Sequence, residues 1–356
     1  MAILNSAALF TIAEMKYRMP GEWEPHEATW IAWPHNKEHW PGKFEPIPLV
    51  YVEIVRALGS SEPVCICVND DAEAREAKSL LAENNVSLDN ISFYTIPTNA
   101  SWSRDHGPTF VQGERGVVAL DWQYNANGMK WGPYDKDDAV PPQVAQLLNV
   151  PVMKPGMVLE GGSIDVNGVG SLLTTEQCLL NVNRNPSLKR EDIEQRLKEY
   201  LGVRNILWLK GGIEGDDTDG HVDDVARFVN ATTVVCPRTE DTSDVDYEIL
   251  ERNFADLSAM RDQDGNALTL VPLPTPSPVV YEETRLPASY MNFYIANKAV
   301  LVPTFRCPQD AEARSIFEKL FPTRRIIGID CTDLVWGFGT IHCSTQQQPS
   351  LKALNS

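Results

Sequence analysis

Four stretches of the chain repeat one pattern of apolar and polar positions. Each begins with an apolar run, passes through a short turn containing glycine or asparagine, and continues into a second apolar run. The four stretches are PTFVQGERGVVAL, SIDVNGVGSLLTTE, ARFVNATTVVCPR and NFYIANKAVLVPTF. Two apolar runs joined by such a turn are typical of a β-hairpin. The pattern therefore predicts four hairpins, with turns near Gly113, Asn167, Asn230 and Asn297.

Helical patterns lie between the hairpins, and each is followed by a short apolar strand. The helices are predicted in IPLVYVEIVRALG, DAEAREAKSLLAE, SLKREDIEQRLKEYLG, DYEILERNFADLSAM and QDAEARSIFEKLFP. The strands around them are predicted in TWIAWP, VCICV, ISFYTIP, ILWLK, ALTLVPL and RIIGID. This order gives about five α/β units of roughly 55 to 70 residues, a period typical of a propeller-like or arrayed closure. A doubly wound sheet is the alternative, but a parallel sheet does not need hairpins.

No linker or low-complexity segment divides the chain, so residues 1–356 are predicted to form a single domain. The proline-rich stretch PLPTPSPVVYEETRLP, residues 272–287, is predicted to be a stiff, extended insertion within that domain. The start, MAILNSAALFTIAEMKY, lacks the basic region of a signal peptide, and Asn5, Ser6 and Thr11 interrupt its apolar run. We expect a frayed or docking N-terminus there.

Charge and cysteine content limit the partners and the compartment. The net charge of −18 argues against nucleic acid and anionic membranes as partners and favours cationic ones. No apolar run reaches the length of about 18 residues that a transmembrane helix needs. The seven cysteines are odd in number and lie mostly in apolar runs, which is typical of a reduced, cytoplasmic protein. Cys65 and Cys67 have the wrong spacing for a zinc site.

Residues that could take part in catalysis or binding lie at the edges of the predicted hairpins. Asp105 precedes the first hairpin, Glu160 precedes the second, and His221 and Asp223 precede the third. Cys343 lies near the end of the chain, before the polar run STQQQ. If the units surround an axis, their equivalent ends converge, and these side chains then face one cavity.

Each of these residues also has a structural interpretation. Cys343 fits a buried structural thiol, His221 fits a core histidine, and Asp105 fits an ion pair with Arg104. The loop GDDTDGHVDD fits a solvated or cation-binding loop, although it lacks the order of acids of an EF-hand. Glu160 fits an ordinary turn, so no single residue decides the function.

Together the motifs resemble those of the agmatine deiminases of the guanidino-group-modifying (pentein) superfamily. The matching stretches, between residues 19 and 349, are MPGEWEPHEATWIAWP, WSRDHGPTFV, LEGGSIDVNGVGSLLTTEQCLLNVNRNP, GDDTDGHVDDVARFV, ASYMNFYIANKAVLVP and IHCSTQQQP. The resemblance implies a five-bladed α/β propeller of ββαβ-type units with pseudo-fivefold symmetry. One stretch departs from the family pattern: Gly337-Phe338-Gly339-Thr340 stands where the family commonly has Gly-Gly-Gly-Asn.

The resemblance implies a role for each site residue. Cys343 matches the nucleophile, His221 the general acid and base, and Glu160 the acid that orients this histidine. Asp105 and Asp223 match the carboxylates that grip the planar guanidinium. Trp102 is a candidate wall for the alkyl chain or a core residue, and the acids near the distal amine are Asp216, Asp217 and Asp219, with Asp217 as the chosen candidate.

The resemblance further implies hydrolysis of agmatine to N-carbamoylputrescine and ammonia, a step of polyamine biosynthesis, through a covalent amidino-cysteine intermediate. No metal and no organic cofactor are needed, and a homodimer or larger homo-oligomer is expected. The alternatives are an amidinotransferase or a peptidyl-arginine deiminase of the same fold. A non-catalytic propeller that binds a protein and a metal hydrolase are the alternatives of other classes.

Overall fold

The computed structural model describes residues 17–350, so nearly all of the stretch expected to fray or dock at the N-terminus lies outside the described part. The strands are β1 His26–Ala32, β2 Val64–Val68, β3 Ile91–Thr95, β4 Thr109–Gly113, β5 Gly116–Leu120, β6 Val152–Met153, β7 Asp165–Val166, β8 Ser171–Thr175, β9 Asn205–Leu209, β10 Arg227–Phe228, β11 Thr233–Arg238, β12 Thr269–Pro274, β13 Val280–Tyr281, β14 Thr284–Arg285, β15 Tyr294–Ile295, β16 Ala299–Thr304, β17 Arg325–Asp330 and β18 Gln346–Pro349. The longer helices are Ile47–Gly59, Asp71–Glu83, Val140–Leu148, Arg190–Leu201, Tyr247–Ala259 and Gln309–Leu320.

Short helical segments complete the chain at the edges of the sheets. They are Ser103–His106, Ala126–Met129, Asp135–Asp138 and Glu176–Leu179, with 3-10 turns at Lys37–His39, Gly161–Ser163, Val222–Asp224 and Leu334–Gly337. Several of the predicted site residues lie in or beside these segments, so the segments place them.

Five sheets share one arrangement, an antiparallel pair of strands extended by one parallel strand or, in the four-stranded sheet, by two. Four of them are formed by consecutive segments: β4-β5-β6, β7-β8-β9, β10-β11-β12 and β15-β16-β17. The fifth, β18-β1-β2-β3, pairs the last strand with the first. A helix connects the parallel strands within each sheet, as a parallel connection requires. The α/β class and the repeated unit are therefore confirmed, and the pairing of the two chain ends is what a closed ring of units would require.

All four predicted hairpins are present, and the predicted helices lie within a few residues of their expected bounds. One helix, Val140–Leu148, was not predicted; its first turn carries two prolines, which are tolerated there because the first N–H groups of a helix are unpaired anyway. The prediction of a stiff, extended insertion at residues 272–287 was only partly correct. Its first residues extend β12 to Pro274, and its second half forms the small hairpin β13–β14.

Apolar side chains between helices and sheets form the core and join neighbouring sheets. In one buried cluster, Trp30 of β1 packs with Phe110 of β4 and Ala119 of β5. All seven cysteines are free, and all but Cys307 are buried, in agreement with the prediction of reduced core cysteines. Within residues 17–350, no helix combines the length and apolar character needed to cross a bilayer.

Candidate active site

The structure brings five predicted site residues close together, and two of them, Asp105 and Cys343, line one pocket. Asp105 lies in the helix Ser103–His106, and Glu160 directly precedes the turn Gly161–Ser163. His221 and Asp223 belong to the turn that ends at Asp224, and Cys343 follows the nucleophile loop, which we define as residues 337–342. All five side chains are buried.

Gly162 lets these side chains approach one another. A Cβ on this residue would lie 2.6 Å from His221 Nδ1, 2.8 Å from Asp105 Oδ1 and 3.0 Å from Asp223 Oδ2. The main-chain N–H of Gly162 also donates a hydrogen bond to Asp105 Oδ1, at 3.1 Å. Only a residue without a side chain fits at this position, so the Gly-Gly motif serves the site directly.

The space of the pocket is about 540 Å³ when the open solvent at its mouth is included. Cys343 and Asp105 lie on its wall, together with Trp102, Asp217 and Phe338. The remaining wall is formed by His39, Ala100, Tyr124, Ala126, Asn127, Trp131, Pro133, Asp137, Gly337 and Gly339. Trp102 lines the pocket and also packs on Trp40, with ring centroids 5.3 Å apart, so its position is compatible with both interpretations considered for it.

Asp105 and Asp223 differ in their electrostatic environment. Burial raises the pKa of Asp105 to about 7, against the effect of His221, and the carboxylates of Asp223 and Glu160 add to the rise. Burial acts in the same direction on Asp223, but His342, whose Nδ1 lies 2.6 Å from Asp223 Oδ2, outweighs it together with His221 and Arg227, so the pKa of Asp223 is lowered. Asp223 Oδ1 is buried without a hydrogen-bond partner among residues 17–350, so one acceptor remains available to a ligand.

The thiol of Cys343 lies against these carboxylates, with Sγ 3.9 Å from Asp223 Oδ2. Burial raises the pKa of Cys343 well above its ordinary value, and the charges of Asp223, Asp224 and Asp105 add to the rise. Without a bound cation the thiol is therefore protonated at neutral pH. A cation placed between the carboxylates would remove much of this opposition to the thiolate.

His221 faces the same space and has the properties of a proton donor. Burial alone would lower the pKa of His221, but Asp105, Cys178 and Glu160 raise it well above its ordinary value. Its Nδ1 lies 3.7 Å from Asp105 Oδ1, and neither ring nitrogen has a hydrogen-bond partner in the described chain. The imidazole is thus protonated, buried and free to donate to a ligand.

Glu160 is held by an arginine on one oxygen and unpaired on the other. Arg184 Nε donates to Glu160 Oε1 at 2.7 Å, whereas Oε2 has no partner within residues 17–350. Glu160, Cys178 and His221 have side-chain atoms within 4.8 Å of one another, so they form the one group of possible metal ligands in the described part of the chain. The proposed chemistry below uses two of these residues without a metal.

Of the three acids considered for the distal amine, Asp217 is the one whose carboxylate reaches the pocket. Asp216 accepts the main-chain N–H groups of Thr218, Gly220 and His221, and Asp219 pairs with Arg184 and Lys130. The half-buried Asp217 accepts the indole N–H of Trp131 at 2.5 Å. Burial, with Asp216, raises the pKa of Asp217 to about 7.

The departure from the family pattern has a clear structural effect. Phe338 has φ +66, a left-handed conformation that glycine adopts without strain and other residues rarely adopt. Its ring lies 6.2 Å from that of Trp131, so the phenyl group adds an apolar wall to the pocket mouth. Thr340 donates its hydroxyl to Asn292 Oδ1 at 2.8 Å, so this departure keeps the nucleophile loop tied to its neighbour.

Sequence reasoning did not single out four further residues that hold the site. Glu22 forms an ion pair with Arg227, with 3.0 Å between Oε1 and Nη2, and its Oε2 accepts from Arg104 at 3.3 Å and lies 2.8 Å from His342 Nε2. Arg104 is thus engaged away from Asp105, which removes the predicted alternative of an Arg104–Asp105 pair. Glu22, His342 and Asn292 stand inside the motifs quoted above, but single motifs cannot show that residues 320 positions apart, such as Glu22 and His342, meet.

Comparisons with known proteins agree with this fold. The family model described as Porphyromonas-type peptidyl-arginine deiminase matches residues 18–349. An agmatine deiminase of Ectopseudomonas mendocina is 37% identical over 94% of this chain and 96% of that protein, and one of Pseudomonas aeruginosa is 36% identical over the same shares. A solved structure of the agmatine deiminase of Enterococcus faecalis has a TM-score of 0.90 at 34% identity and covers 97% of this chain and 99% of that one.

A cysteine-to-serine variant of the C. jejuni agmatine deiminase, solved with substrate bound, is also similar, with a TM-score of 0.85, 33% identity, and coverage of 95% and 97%. These relatives show that the chain is a deiminase of the pentein superfamily. Within that class, the chain belongs to the Porphyromonas-type peptidyl-arginine deiminase family, in the branch of the agmatine deiminases.

Proposed function

We propose that this protein hydrolyses the guanidinium group of agmatine, with Cys343 as the nucleophile. The observation that carries the proposal is a set of buried, unpaired polar atoms around Cys343. Asp223 Oδ1, Glu160 Oε2 and both ring nitrogens of His221 lack partners within residues 17–350. Leaving such atoms unsatisfied is costly, so they define the place of a polar ligand. Two carboxylates and a thiol around a planar cation suit a guanidinium.

In the first half of the reaction, Asp105 and Asp223 accept the N–H groups of the guanidinium and hold its carbon at Cys343 Sγ. The thiol proton passes to solvent as the cation enters, and the thiolate attacks the carbon. In the tetrahedral adduct the bond to one terminal nitrogen breaks. His221 gives its proton to that nitrogen, ammonia leaves, and an amidino-cysteine (S-alkylthiouronium) remains.

In the second half, His221 takes a proton from water, and the resulting hydroxide attacks the same carbon. The C–S bond breaks and the sulfur leaves as a thiolate. The hydroxyl proton of the adduct passes through solvent to the sulfur, which restores the thiol as N-carbamoylputrescine forms. Glu160 and Asp105 stabilise the imidazolium that this step regenerates, as the third group of a catalytic triad does. No step requires an oxidant, a reductant or a group carrier.

The proposed substrate follows from the far end of the pocket. No lysine or arginine lines this pocket in the described chain, so a substrate carboxylate would have no partner. Asp217 instead offers a carboxyl group to an ammonium, and its pKa of about 7 leaves that group ionised above this pH. This arrangement supports agmatine, which has a distal amine, over arginine. We also propose a cytoplasmic homodimer or larger homo-oligomer, supported for the compartment by the free cysteines.

The direct test is an ammonia assay with purified protein in EDTA, given agmatine, arginine or a peptidyl-arginine in turn. We expect ammonia and N-carbamoylputrescine from agmatine and at most slow release from the others. Preference for the peptidyl-arginine would overturn the substrate assignment. Product formation only with an added amine acceptor would identify a transferase, and loss of activity in EDTA would identify a metal enzyme.

The KM for agmatine is expected to fall as pH rises from about 6 to 8. Asp105 and Asp217 both have a pKa of about 7 in the free protein. Only their ionised forms attract a cation, so protonation below that pH weakens binding.

Replacing Asp217 by asparagine should raise KM by about 10-fold or more, the loss of one hydrogen-bonded charge pair, with little change in kcat.

The exposed Asp135 provides the matched control for this experiment, because Asp135→Asn removes the same charge outside the pocket. Steady-state kinetics across the pH range should show the wild-type KM profile in the control. An unchanged KM in Asp217→Asn would show that another group binds the distal amine.

A further inference from the structure

Asn292 has a buried side-chain amide that contacts the proposed nucleophile, Cys343, and the two neighbouring acids Asp223 and Asp224. It lies directly before Phe293 and β15, and its side chain is 1% exposed. Its Oδ1 accepts the main-chain N–H groups of His342, at 3.0 Å, and Cys343, at 3.2 Å. The hydroxyl of Thr340 donates to the same oxygen. The carbonyl end of Asn292 therefore fixes the nucleophile loop at three points.

The other end of the amide points at the reacting atoms. Nδ2 lies 3.1 Å from Cys343 Sγ, 3.2 Å from Asp224 Oδ1 and 3.3 Å from Asp223 Oδ2. An amide has two N–H groups, so it cannot serve three acceptors at once. Asp223 Oδ2 already has a closer partner in His342 Nδ1, at 2.6 Å. The two N–H groups are thus available to Sγ and to Asp224.

A thiolate at this position needs a donor. The titratable groups that face Cys343 are Asp105, Asp223, Asp224 and Tyr51, with the imidazole of His221 beyond Asp105. The three acids oppose a negative sulfur, whereas the Nδ2 group of Asn292 is a neutral donor in direct contact with it. A hydrogen bond to the charged form of a group favours that form.

We propose that Asn292 is a catalytic residue, which donates an N–H to the Cys343 thiolate while its carbonyl holds the nucleophile loop in register. This inference rests on the proposed role of Cys343 as nucleophile. The N–H stabilises the sulfur both before attack and when it leaves in the second half of the reaction. The donor is fixed in place by three hydrogen bonds at its other end, so it needs no reorganisation when charge develops.

The test compares the reactivity of the Cys343 thiol in three kinds of variant. Asn292→Ala and Asn292→Leu both remove the donor, and leucine keeps most of the side-chain volume. Thr340→Val removes one hydrogen bond at the carbonyl end but keeps the donor. Asn167→Ala is the matched control, since Asn167 is also a buried amide with both ends hydrogen-bonded, in the β7–β8 turn. Iodoacetamide is the probe, with alkylation of the Cys343 peptide followed by mass spectrometry between about pH 8 and 10.

Both Asn292 variants should alkylate about 10-fold more slowly at a given pH, equivalent to a thiol pKa about one unit higher. Their kcat for ammonia release from agmatine should fall by about 10- to 100-fold, the loss of a hydrogen bond to a charged group, with a smaller change in KM. Thr340→Val, which weakens the support of the loop but keeps the donor, should slow alkylation clearly less than either Asn292 variant, and Asn167→Ala should keep the alkylation profile of the wild type.

An alkylation rate of Cys343 in the two Asn292 variants equal to that of the wild type would overturn the proposal. A rate in Thr340→Val that falls as far as in the Asn292 variants would also overturn it, because support of the loop alone would then explain the effect. Failure of the proposed function is distinguishable from these outcomes. It would appear as no ammonia from agmatine in the wild type, whereas the comparison of alkylation rates does not depend on the substrate.

Discussion

Replacing Cys343 by alanine should abolish ammonia release from agmatine, lowering kcat by at least about 10⁴-fold, while agmatine still binds. The thiol is the only side-chain nucleophile in the proposed reaction, and it is needed before water can attack. The carboxylates of Asp105 and Asp223 that hold the guanidinium are not changed by the substitution. Their repulsion of the thiolate is even relieved, because the buried sulfur lies 3.9 Å from Asp223 Oδ2. Calorimetric titration with agmatine and a sensitive ammonia assay measure the two expectations separately.

Cys236→Ala is the matched control, because this thiol is also buried but lies in β11, away from the pocket. It should keep wild-type kcat and KM. Substantial turnover in Cys343→Ala would refute the assignment of the nucleophile. Loss of agmatine binding in that variant would instead indicate that the sulfur contributes to the ground-state complex.

The repeated unit was predictable from the sequence because each hairpin carries its own local signal. Asn167, Asn230 and Asn297 stand at turns, and the flanking apolar runs have the length of strands. Local patterns do not reveal which distant segments pair. The polar sequence of β18, QQQP, gives no strand signal, yet it pairs with β1, where Trp30 donates to Gln348 Oε1 at 2.8 Å. The burial of such polar strands depends on partners more than 300 residues away.

The site was predictable only in part for a related reason. Cys343, His221, Asp105, Asp223 and Glu160 lie in motifs and converge as expected. Their supporting residues, however, are recognisable only by their contacts. Asn292 stands in ASYMNFYIAN, a segment that looks in sequence like an ordinary strand leading into a hairpin. Its function arises from the three-dimensional meeting of that segment with the nucleophile loop.

The charges of these residues favour different protonation states in the free protein and in the protein with bound agmatine. In the free protein, burial and three carboxylates keep Cys343 protonated. Asp105 and Asp217, each with a pKa of about 7, are only partly ionised near neutral pH. A dication such as agmatine compensates both ends of the pocket at once. The charge that the substrate brings therefore supplies the condition under which the thiolate forms, so the nucleophile is activated mainly when the correct ligand is present.

His221→Asn should lower kcat by about 10²- to 10⁴-fold, the usual contribution of a general acid and base, with a much smaller change in KM. The imidazole is buried beside Asp105 and Glu160, which raise its pKa well above the ordinary value, so it is protonated at neutral pH and can donate to the leaving nitrogen. Activity that requires this proton is present below the raised pKa and declines as pH rises through it.

The pH profile of kcat separates this role from a structural one. The alkaline decline should be present in the wild type and absent from His221→Asn, since the variant has no imidazole to deprotonate. His35→Asn is the control, because His35 is a partly exposed histidine outside the pocket wall, and it should keep the wild-type profile. A His221→Asn enzyme with near-normal kcat, or with the alkaline decline intact, would move the proton transfer to another group. Asp224, whose pKa is also raised well above its ordinary value by burial and the charge of Asp223, would then be the first group to test.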